Sequence, residues 1–134
     1  RLDGAAAGAS PAGLLQIDDG SDANRLLLRN AAGGSAIQAL AVGGGATLAT
    51  LAGGSMIAGT AFRAALAWSG SELALCLNGG TVQAAAATLP GGLTRLLAGH
   101  GSAGLTQAAN GQLALLDYRP ARLPNAMLQA LSAP

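Results

Sequence analysis

Apolar and polar positions alternate with a period of two along much of the chain. Phe62, Ala64, Leu66 and Trp68 alternate with Arg63, Ala65 and Ala67, which is the pattern of a strand with one buried face. After Ser69-Gly70, Leu73, Leu75 and Leu77 alternate with Glu72, Ala74, Cys76 and Asn78. Asn78-Gly79-Gly80 supplies the residues that accept positive φ in a tight hairpin turn. Residues 81–87 then read as the third strand of an antiparallel meander, around which the rest of the chain is organised.

The flanking segments follow the same plan. Residues 14–18 form an apolar run, and Asp19-Gly20-Ser21-Asp22 has the composition of a turn. Over 24–30, Leu26 and Leu28 oppose Arg25, Leu27 and Arg29. Strands are expected over 35–42 and 46–51, on either side of Gly43-Gly44-Gly45. Leu89-Pro90-Gly91-Gly92 marks a loop, followed by a strand over 93–98, a polar loop over 100–110 and a last strand over 111–119. Met127, Leu128 and Leu131 have the spacing of a short helix over 125–132. Short strands with regular turns and one terminal helix predict an all-β fold, an antiparallel β-sandwich of jelly-roll type. Residues 1–13 read as a linker or edge strand, and 14–134 as one domain. The start at Arg1, without a signal-peptide pattern, reads as a piece of something longer.

Composition sharpens this picture. Of 134 residues, 51% are hydrophobic but only 2% aromatic and 10% charged. Alanine and leucine therefore supply most of the core and bury little area per residue, so stability is expected to draw on neighbouring chains. A net charge of +1, with seven Arg and no Lys, excludes the basic face that nucleic acid requires. Residues 30–62 carry no charge and exceed the roughly twenty residues that cross a bilayer. Their paired and tripled glycines nevertheless recur at the spacing of turns, so soluble strands are expected rather than membrane insertion. The single cysteine, Cys76, permits no internal disulfide and reads as a small buried hydrophobe.

Three passages carry a resemblance: LLQIDDGSDANRLLLR (14–29), GTAFRAALAWSGSELALCLNGG (59–80) and LDYRPARLPNAMLQALSA (116–133). In order and spacing they resemble the concanavalin A-like lectin/glucanase superfamily, and more closely the laminin-G-like sandwich domains of bacteriophage tail, fibre and other virion proteins. The resemblance implies a jelly-roll sandwich at the virion surface, extracellular and oligomeric, in contact with host glycan or with other virion chains. Aromatic residues are scarce, with only Phe62, Trp68 and Tyr118 present.

Candidate chemistry is thin. The glucanases of this superfamily cleave sugars with carboxylates in an E-x-D-x-x-E pattern, whereas this chain has one glutamate, Glu72, beside a turn. Asp18 and Asp19 are adjacent, so in a strand they face opposite sides. Without a carboxylate pair at a set separation, no enzyme is expected and no cofactor is required. Asp18, Asp19 and Asp22 either bind calcium at the sandwich rim or cap their own turn. Trp68 either lies in the core or offers its face to a sugar ring. Tyr118 and its neighbour Arg119, near the end of the sheet, are further ligand candidates, as is His100 in Gly99-His100-Gly101. Arg63, Arg95 and Arg119 either meet an acidic glycan or solvate outer faces. Two functions follow: a non-catalytic carbohydrate-binding module for host adhesion, or a structural domain that packs against virion chains without a sugar.

Overall fold

The computed structural model describes residues 2–4 and 10–134. Ten strands and one helix follow in chain order: β1 (Leu2–Gly4), β2 (Ala12–Asp18), β3 (Arg25–Asn30), β4 (Ala36–Gly43), β5 (Ala46–Ser55), β6 (Ala64–Ser69), β7 (Glu72–Leu77), β8 (Gln83–Ala86), β9 (Arg95–Ala98), β10 (Gly111–Leu113) and α1 (Asn125–Ser132). The expected antiparallel all-β sandwich with a short C-terminal helix is what forms. Of the proposed N-terminal linker or edge strand, residues 2–4 pair antiparallel with β10, while residues 1 and 5–9 lie outside the described residues.

Two meanders make the sandwich. The chain runs through β2, β3, β4 and β5 as sheet neighbours, crosses to a second sheet of order β6-β7-β8, and returns as β9 beside β2. Its hairpins close where glycine permits. Gly44 and Gly45 have φ of 57° and 81° between β4 and β5. At the turn after β7, Asn78 (φ 49°) and Gly79 (φ 70°) both adopt the left-handed conformation that primed turns require, and Gly80 N donates to Leu77 O at 2.9 Å.

The period-2 pattern sorts side chains as expected, but both faces of β7 are covered. Leu73, Leu75 and Leu77 enter the main core with Leu26, Leu28 and Ile37. Ala74 and Cys76, on the opposite face, form a second cluster with Ala67 and Leu128 of α1. The helix is held there by Arg122 on Glu72 (2.7 Å) and by Gly79 N on Ser132 Oγ (3.1 Å). Of its apolar residues Met127, Leu128 and Leu131, only Leu128 is buried.

Leu27 is likewise fully buried on the outer face of the five-stranded sheet, beside its register partner Gln16. The segment over 99–109 starts beside β2, with Gly99 N donating to Leu14 O (2.9 Å), crosses this face, where Arg25 Nη1 donates to Gly101 O (2.8 Å), and returns to the sheet edge, where Gly13 N donates to Gln107 O (2.8 Å). The expected strand over 111–119 is short: β10 ends at Leu113, and 114–121 continue as an exposed strap. Pro120 interrupts any ladder further on, and among the described residues 114–119 belong to no strand.

Candidate functional site

The two sheets differ in width, and this creates the site. The three-stranded sheet lies over the β5 side of its partner, since β7 and β8 both pack against β5. At about 4.8 Å per strand, two fewer strands leave roughly 10 Å of the inner face near β9 uncovered. Ile17 of β2 and its register partner Leu96 of β9 face this space. A groove of about 450 Å³ results, walled by Trp68 of β6, the loop from Pro90 to Thr94, and Tyr118 of the strap.

Trp68 and Tyr118 meet there with ring centroids 6.4 Å apart and planes inclined by 41°, within the range of favourable tilted aromatic pairs. Trp68 is half-buried and packs on the main core while it lines the groove. Tyr118 is 60% exposed. An apolar ring face bordered by loop backbone and by the hydroxyls of Thr94 and Tyr118 suits a ligand with one apolar face and hydroxyl edges.

The remaining candidates lie elsewhere. Arg119 is not in the groove lining and donates to Asp117 Oδ2 at 3.0 and 3.1 Å. His100 is not in the lining either; its Nδ1 is buried without a hydrogen-bond partner. Cys76 is fully buried, with Sγ 3.1 Å from Gly80 O.

Asp18, Asp19 and Asp22 each serve a different partner. Asp18 is fully buried and accepts from Arg95 Nε (2.8 Å), Gln16 Nε2 (2.6 Å) and Gly20 N (2.8 Å). Burial alone would raise its pKa, but the hydrogen bonds of Arg95, Gln16 and Gly20 to the anion outweigh burial and hold the carboxyl below its ordinary value. Asp19 accepts from Ser21 and Asn24 within the turn, and these bonds lower its pKa as well. Asp22 Oδ1 accepts from Arg25 Nη1 and from Ala103 N, both at 2.7 Å. Carboxylates already satisfied by guanidinium and amide donors do not fit a shared calcium ion. Among the described residues, no group of three or more His, Cys, Asp or Glu is placed to hold a metal.

Sequence reasoning singled out Trp68 and Tyr118 separately but not Ile17, Leu93, Thr94 or Leu96. Its one signal for the groove was the Leu89-Pro90-Gly91-Gly92 loop. No helix among the described residues is long and apolar enough to cross a membrane. No family model, curated protein or solved structure matches the chain.

Proposed function

We propose that this domain is a non-catalytic carbohydrate-binding module that takes a sugar ring in the groove lined by the paired rings of Trp68 and Tyr118. The observation that carries this reading is the pairing of those two rings, 50 residues apart in sequence, at the open end of the sandwich. A half-buried indole backed by the core is a rigid wall. The exposed phenol, carried on the strap, gives a second apolar face with a hydroxyl at its tip. Among the described residues no carboxylate lines the groove, whereas glycoside cleavage typically uses two. Placement at a virion surface, with host glycan as the target, rests on the sequence resemblance alone. A glycan array probed with the wild-type chain and with Tyr118→Ala tests the reading. Binding by the first and weaker binding by the second is the expected result.

A second reading has its own observation. Leu113 at the end of β10 and Leu115 and Leu116 of the strap are exposed, Leu115 at 68%, and an uncharged apolar strip suits packing against another chain. A sugar-blind oligomer in solution would favour this assembly role over the glycan module.

A further inference from the structure

Resting on the glycan reading, we infer that the ligand is uncharged: the groove takes a neutral hexose or N-acetylhexosamine ring rather than a uronate, sialic acid or sulfated sugar. Two independent observations carry this. Among the described residues, the groove is lined by apolar side chains, glycine, proline, Thr94 and Tyr118, with no charged group.

Outside the groove, each described guanidinium already has a partner within the fold, and none of them lines the groove. Arg95 is committed to Asp18, Arg25 to Asp22, Arg122 to Glu72 and Arg119 to Asp117. Arg29 donates to Gln38 Oε1, and Arg63 to the carbonyl of Ala133. The chain contains no lysine. Recognition of a sugar carboxylate or sulfate depends on such cations. An acidic group on a ligand seated in the groove would therefore meet no described cation in its lining. Arg119, next to Tyr118 in sequence, is the nearest alternative, but an anion drawn to it would also meet the Asp117 carboxylate.

A neutral pyranose asks for none of this. Its apolar face stacks on an aromatic ring, and its hydroxyls find backbone groups at Gly91 and Gly92, where nothing lies within 4 Å of the position a side chain would occupy.

Trp68 is the only tryptophan, so its fluorescence reports on the groove directly. The full chain is titrated with neutral hexose and N-acetylhexosamine oligosaccharides, and with counterparts bearing uronic acid, sialic acid or sulfate, at low and at high salt. The expected result is a spectral change with neutral sugars and an affinity insensitive to salt. Tyr118→Ala should weaken binding by roughly three- to tenfold, while Tyr118→Phe keeps most of it. Tighter binding of acidic sugars that fades with salt would overturn the neutral-ligand inference and leave the glycan module standing. Absence of response to either set would overturn both.

Discussion

Asp18 of β2 and Arg95 of β9 stand directly opposite each other in the sheet, and their side chains join through two bonds, Nε to Oδ1 at 2.8 Å and Nη2 to Oδ2 at 3.2 Å. The carboxylate is buried while the guanidinium is partly exposed. Removing the cation therefore leaves a buried charge with only Gln16 and Gly20 as donors. Arg95→Met is expected to destabilise the fold more than an exposed ion-pair substitution does, but less than breaking a wholly buried pair, because Arg95 reaches solvent. Urea denaturation at neutral pH measures it.

The same pair fixes the response to acid. Asp18 and Asp19 both have folded pKa values below the ordinary one, so between the two values the unfolded chain binds more protons than the folded one. Their contribution is complete above the ordinary carboxylate pKa of about 3.9 and is lost as pH falls through the lowered values. Stability should thus stay level in this respect from neutral pH to about pH 5 and then decline. Asp18→Asn should flatten that decline more than a substitution at the exposed Asp117, as followed by denaturation midpoints across pH.

Gly13 is required by a close approach and not by its backbone angles. A Cβ there would lie 2.1 Å from Gly101 N, where the segment over 99–109 crosses β2. Gly13→Ala should cost about 1–3 kcal/mol or more and should increase hydrogen exchange across 99–109. Gly34→Ala has open space around it and should change stability by less than about 0.5 kcal/mol.

Cys76 sits beneath α1 with Leu128. A buried thiol in apolar surroundings is inert, so thiol reagents should modify it only as fast as the chain opens. Leu128→Ala, by loosening the helix, should accelerate labelling.

Much of the architecture was legible because a half-buried strand advertises itself: Leu26 with Leu28, and Leu73 with Leu75 and Leu77, point as their alternation implies. What covers the opposite face was not legible. Leu27 and Ala74 read as outward positions, yet residues 99–109 cross the face that carries Leu27, and α1 covers Ala74. These are tertiary coverings that local periodicity does not encode. The acidic turn illustrates the same limit at the site. Asp18, Asp19 and Asp22 offered a cation or a turn, and nothing nearby in sequence indicated that Arg95 would claim the first. Conversely, the alternation over 111–119 implied a strand longer than β10, because a period-2 pattern cannot show whether a partner strand exists. The groove depends on the unequal widths of two sheets, and it became visible only with the fold.

The most direct test follows backbone amide and indole N–H resonances of the labelled chain while a neutral oligosaccharide chosen by array is added. The account predicts shifts at the Trp68 indole and at the amides of Gly91, Gly92, Thr94, Leu96 and Tyr118, with the Gly44–Gly45 turn and α1 unmoved. Shifts centred on that turn or on the helix, with the Trp68 indole unchanged, would contradict it.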